Sequence, residues 1–158
     1  MIKNWKKYIL LVLVLFGLIL PFIDYLTIIE MFFLLIPFAI IVGASFIYWI
    51  VSLFNHKLNS KQSFYFFLII PIFILTQLFS AFSVDRVQLI RSIKIIKAVE
   101  EKIKVEGKIP DTFDTKFGIE YKKSERDNKY EIRYSRGFMV TERYDSDTKK
   151  WRSYGWND

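Results

Sequence analysis

Three long apolar runs occupy the first half of the chain, Tyr8 to Ile23, Met31 to Phe54 and Phe64 to Val84, and nothing comparable follows Val84. A helix needs about 20 apolar residues to cross the ~30 Å hydrocarbon core of a bilayer. The pattern therefore predicts three transmembrane helices, at about residues 8–23, 31–54 and 64–84. The first is the shortest and has Pro21 near its end. Its lysine-bearing start imitates a secretory signal, but Pro21-Phe22-Ile23-Asp24-Tyr25 stands where a small-residue cleavage site would be needed, so a retained span is expected. Asp24 to Glu30 is expected to form a tight hairpin; the alternative boundary carries the first helix on through Ile29.

From Asp85 the pattern changes. Leu89, Ile93, Ile96, Val99 and Ile103 recur at three- and four-residue steps, with Arg91, Lys94, Lys97, Glu101 and Lys104 largely on another face, which predicts an amphipathic helix to about Val105. No Gly or Pro lies between Thr76 and Gly107, so the third span and this helix are expected as one rod. Gly107 would cap it in a left-handed conformation and Pro110 would block its continuation.

After Phe117 the period is two. Ile119 and Tyr121 alternate with Glu120 and Lys122; Tyr130, Ile132 and Tyr134 alternate with Glu131, Arg133 and Ser135. A third strand is expected to begin with Phe138 and Val140 and run to about Tyr144, and a fourth to centre on Trp151, with turns at Ser124 to Lys129, at Gly137 and at Asp145 to Thr148. A sheet this small leaves its apolar face wet unless covered, and the long helix is its natural cover. The expected fold class is a membrane α-helical region of three transmembrane helices (residues 1–84) plus a small α+β domain (85–158). In that domain the long helix packs on a three- or four-stranded antiparallel meander.

Charge sets the expected orientation. Lys3, Lys6 and Lys7 precede the first run, Lys57 and Lys61 lie between the second and third, and only Asp24 and Glu30 lie between the first and second. By the positive-inside rule the N-terminus and the Asn55 to Ser63 loop are cytoplasmic, and an odd number of spans makes residues 85–158 extracytoplasmic, on a bacterial cytoplasmic (inner) membrane. Trp5, Tyr8, Tyr25, Tyr48, Trp49 and Tyr65 fall near run ends, where amphipathic rings prefer the headgroup layer. The net charge of +7 mixes both signs. It suits anionic headgroups or a weakly acidic partner and lacks the concentrated basic stripe of a nucleic-acid binder, so no nucleic acid is expected.

Candidate chemistry is sparse. The chain has no cysteine and one histidine, His56, which rules out thiolate sites, a His-rich metal site and a Ser-His-Asp triad within the headpiece. No Gly-rich phosphate loop occurs. Asp145 and Asp147, with Asp158, fit a hairpin turn better than an EF-hand loop, and the adjacent Glu100 and Glu101 diverge on a helix. No catalytic residue, metal or cofactor is expected. Within the apolar runs, Thr76, Gln77, Ser80, Ser83, Ala39, Gly43, Ala44 and Ser45 suit helix–helix packing, Pro37 and Pro71 are expected to bend their helices, and the absence of ionisable groups from these runs disfavours transport. The tail, Trp151-Arg152-Ser153-Tyr154-Gly155-Trp156, pairs exposed aromatics with Arg as binding hot spots do, so Trp151, Arg152, Tyr154 and Trp156 are the candidate partner-binding residues. The alternative places Trp151 in the sheet core and Trp156 at its edge.

The sequence from the third apolar run through Gly107-Lys108-Ile109-Pro110-Asp111-Thr112-Phe113 to Tyr144-Asp145-Ser146-Asp147-Thr148-Lys149-Lys150-Trp151 resembles type IV pilins and type II secretion pseudopilins over about the last 95 residues. It departs from them before Phe64, where the family's leader-peptidase site is missing, and in the two additional spans upstream. The resemblance implies a membrane helix continuing into a domain helix that a β-meander covers. The function expected is a non-enzymatic, multi-pass membrane protein that displays a small α+β interaction domain and acts by protein–protein contact. Its partners would be the lipid bilayer and a protein, with a homo-oligomer as a further arrangement. The alternatives are a membrane-embedded immunity or envelope-protection protein and an accessory subunit of a membrane enzyme.

Overall fold

A computed structural model describes residues 5–55, 58, 60–124 and 128–155. The chain divides into two compact units, Met1–Ser80 and Ala81–Asp158. In the first lie α1 (Trp5–Ile19), a 3-10 turn (Leu20–Phe22), α2 (Asp24–Ile29), a π-helical turn (Glu30–Leu34) and α3 (Leu35–Phe54). The last helix, α4 (Ser60–Glu106), runs 47 residues and passes through the division between the units. Among the described residues, two helical stretches are long and apolar enough to cross a membrane, Asp24–Phe54 and Phe64–Glu106. The apolar stretch Lys7–Phe22 is shorter; its 16 residues rise about 24 Å, short of the ~30 Å core.

The hairpin expected over Asp24 to Glu30 is helix instead, and so is the start of the second apolar run. The break falls earlier, at Ile23, whose backbone is extended (φ −113°, ψ 94°). Pro21 explains the position: its ring excludes the regular i−4 hydrogen bond, so α1 ends at Ile19 and the chain tightens to a 3-10 turn. Thr27, fully buried, heals the break by placing its hydroxyl 3.2 Å from both the Leu20 and the Ile23 carbonyl oxygens. The π turn lies just ahead of Pro37, whose ring displaces the carbonyl four residues back, that of Phe33.

Close approach in the first unit depends on Gly17. A Cβ there would come within 3.3 Å of the Phe73 carbonyl oxygen, the Phe73 ring and Thr76 Cβ. Next to it Ser80 donates across to the Leu18 carbonyl at 2.7 Å. The small residues of α3 are not used in this way: a Cβ on Gly43 would meet nothing within 4 Å, and Ala39 and Ala44 are exposed. The end of α3 is locked to the start of α4 by an aromatic cluster, with Trp49 stacked on Phe67 at 5.9 Å and Phe46 5.4 Å from Phe67.

In the second unit the sheet has the order β1-β2-β3-β4, all antiparallel: β1 (Ile119–Lys123), β2 (Tyr130–Gly137), β3 (Val140–Asp145) and β4 (Lys150–Tyr154). Its inner face packs Ile119, Tyr130, Ile132, Tyr134 and Tyr144 against Ile96 and Val99 of α4 and against Ile109. This gives the expected meander under a long helix, with four strands. Gly107 (φ 69°) ends α4 by donating to the Ile103 carbonyl, as the sequence predicts. The linker is tied to β1: Tyr121 OH donates to the Pro110 carbonyl at 2.7 Å, and Lys123 Nζ to Asp111 Oδ1 at 2.6 Å. That Lys123 contact holds the Asp111 carboxyl below its ordinary range.

Ile93 is not a core residue; it is 40% exposed, and the helix line facing the sheet passes through Gln88 and Ser92 before reaching Ile96 and Val99. Phe138 does not begin β3. Gly137 pairs with Val140, so Phe138 and Met139 form a two-residue turn with both φ positive (52° and 61°).

Candidate functional site

Strand alternation sorts the predicted tail residues onto opposite faces. Register pairs Tyr144 with Trp151 and Arg143 with Arg152, so Trp151 belongs to the inner face and Arg152 to the outer. Trp151 packs edge-on to Tyr134 at 5.5 Å and lies 5.4 Å from Tyr144, which makes it a packing residue. Arg152 is exposed, and Tyr154, on the same outer face, is half-buried with the Arg143 guanidinium 5.6 Å from its ring centre. Trp156 lies outside the described residues, as do His56 and Asp158.

The outer face carries a feature that reading the tail alone does not reveal. Arg133 pairs with Arg143, and Arg143 with Arg152, so three guanidinium groups stand in one row across β2, β3 and β4. Like charges directly opposite one another destabilise a sheet unless something neutralises them. Glu131 does this at one flank. It is 7% exposed, accepts from Arg133 Nη2 at 2.6 Å and Nε at 3.2 Å, and is also bonded by Arg143 Nη2. A two-sided clamp of this kind fixes the planes of both guanidinium groups. The exposed Arg152 has no ion pair among the described residues, and its charge helps hold the Asp145 carboxyl down. Lys122 and Lys150 extend the positive character of the face, and Glu120 and Asp145 temper it.

At the inner face's other end a second buried acid is fully engaged. Glu142, 8% exposed, accepts from Arg136 Nη1 at 2.9 Å and from Ser153 Oγ at 2.7 Å. That contact raises the Arg136 guanidinium's already high pKa. Nearby, Tyr134 OH donates to Asp85 at 3.1 Å. Asp145 serves as the turn residue predicted for it, accepting from the Asp147 and Thr148 amides at 2.8 and 3.2 Å. Burial pushes its carboxyl up, but these two backbone bonds together with the Lys129 and Arg152 charges outweigh it, and the net shift is downward. Among the described residues no cluster of three or more His, Cys, Asp or Glu could hold a metal ion.

The arrangement offers hydrogen-bond donors, cations and one aromatic ring on the outer face of the sheet. Sequence alternation did place Arg133 and Glu131 on the face opposite Ile132. What it could not supply was the register that aligns Arg133, Arg143 and Arg152. A comparison of the chain with known protein families, curated proteins and solved structures finds no match.

Proposed function

We propose that this chain is a multi-pass protein of the bacterial cytoplasmic membrane. Three transmembrane helices anchor a pilin-like α+β domain on the outer side, and the domain acts by protein–protein contact, without catalysis. The observation that carries this reading is the Arg133–Arg143–Arg152 row with Tyr154 beside it. Aligned like charges are a cost to the isolated fold. An acidic partner surface would offset it, and bidentate Arg–carboxylate contacts would supply both affinity and register. Anchoring is supported by the apolar stretches Lys7–Phe22, Asp24–Phe54 and Phe64–Val84. Orientation is supported by the lysines that precede Asp85, which fall at positions 3, 6, 7, 57 and 61 and not between the first two apolar runs.

The test is a photo-crosslinking residue placed at Arg152 or Tyr154, with Lys104 on the exposed side of α4 as control, in cells expressing the full-length chain. A discrete adduct from the outer sheet face, absent from the Lys104 position and lost at raised ionic strength, is the expected result. Equal labelling from all three positions, or no adduct from the sheet, would overturn the proposal.

A further inference from the structure

Inside the first unit an apolar cleft of about 530 Å³ runs between α1, the α2–α3 stretch and α4. Along the α2–α3 stretch its wall runs from Leu26 through Glu30 and Phe38 to Ser45, and Phe66 and Phe73 of α4 line it too. Glu30 and Ser45 are separated by fifteen residues of nearly continuous helix, so the cleft is about 20 Å long. Glu30 is the one ionisable residue in its wall. It sits at the start of the π turn, and its Oε1 accepts a hydrogen bond from Gln77 Nε2 of α4 at 2.8 Å.

These features converge. π turns inside helices concentrate at functional positions, and an ionisable group among membrane helices is costly unless it has a partner. Among the described residues Glu30 bonds to a neutral amide and to no cation. The cleft is elongated and greasy, with its one acid toward one end, within the 300–1,000 Å³ range typical of ligand pockets. That is the shape and polarity of an amphiphile with an aliphatic chain and a head that ends in an ammonium group. We propose that the cleft binds an amine-headed phospholipid, one acyl chain lying along Phe38 and Phe73 and the ammonium group meeting the Glu30 carboxylate. The inference rests on the reading of residues 1–84 as embedded in lipid.

The experiment uses the full-length protein, equilibrated with vesicles of equal phosphatidylethanolamine and phosphatidylglycerol, extracted in mild detergent and examined by native mass spectrometry. One phosphatidylethanolamine per protomer is expected, in roughly tenfold excess over phosphatidylglycerol, as suits one charge-assisted hydrogen bond. Glu30→Gln preserves the shape and the Gln77 contact, and should bring the ratio to about one at unchanged total lipid. Ile41→Trp, on the half-exposed cleft wall, should abolish retention of both lipids. Equal retention by the unaltered protein, an unchanged ratio in Glu30→Gln, or full retention in Ile41→Trp would each overturn the proposal. Alkaline carbonate washing of the same vesicles separates two kinds of failure. Protein that stays with the vesicles without selecting the amine lipid defeats the cleft assignment alone; protein released to the supernatant defeats the membrane reading beneath it.

Discussion

At the level of single residues, the inner face of the second unit mixes strong packing with local conflict. Ser92 is fully buried and its hydroxyl has no hydrogen-bond partner among the described residues; nor has Gln88 Oε1, one turn away. A buried unsatisfied hydroxyl costs about 1–3 kcal/mol, and Ala is the better helix former. Ser92→Ala is therefore expected to stabilise the unit by about 1 kcal/mol, read as a raised unfolding midpoint of the detergent-solubilised chain. The tyrosines make a second, opposite contribution. Burial, as the main cause, pushes Tyr121, Tyr130, Tyr134 and Tyr144 above the ordinary phenol range, and nearby carboxylates add to it, Asp85 at Tyr134 and Glu100 at Tyr130 and Tyr144. The fold favours their neutral form. Their contribution is complete below the unfolded value of about 10 and is lost as pH rises through the folded values. Unfolding should thus become steeply easier above about pH 10, and the tyrosinate absorbance of the folded protein should lag behind that of a denatured sample.

At the level of elements, strain is concentrated in the β2–β3 turn. Two consecutive positive φ angles define the turn type that Asn-Gly serves best, yet Phe138 and Met139 occupy it. Replacing them together by Asn-Gly is expected to stabilise the hairpin by about 1 kcal/mol, measurable by thermal unfolding followed by circular dichroism. A loss of stability instead would show that the Phe138 and Met139 side chains contribute more through packing than their backbones lose. The same elements show what the sequence could reveal. Period-two alternation after Phe117 and the Gly107-to-Pro110 stop were legible because each reflects local backbone geometry. Ile93 was misplaced because helical spacing admits two neighbouring stripes, and the buried one turned out to carry polar Gln88 and Ser92. Asp24 to Glu30 is helix and not a hairpin because Pro21 has already broken α1, and Glu30 bonds to Gln77, a contact between segments distant in sequence. The arginine row and the cleft depend on register and on contacts between segments distant in sequence, which no single-chain pattern encodes.

At the level of the whole molecule, the proposed function has the residues before Asp85 in lipid and the α+β domain outside the cytoplasm. Sequence charge supports the orientation, and the absence of cysteine offers a direct route to test it. Single substitutions Lys61→Cys, in the first turn of α4, and Glu101→Cys, exposed near its far end, can each be treated with a membrane-impermeant maleimide in intact spheroplasts. Residues before Asp85 lodged in the bilayer, with the α+β domain outside the cytoplasm, predict labelling at residue 101 and none at 61 until the membrane is opened. Labelling at 61 with protection at 101 would reverse the orientation, and immediate labelling at both in a protein that leaves the membrane fraction would contradict the account at its root.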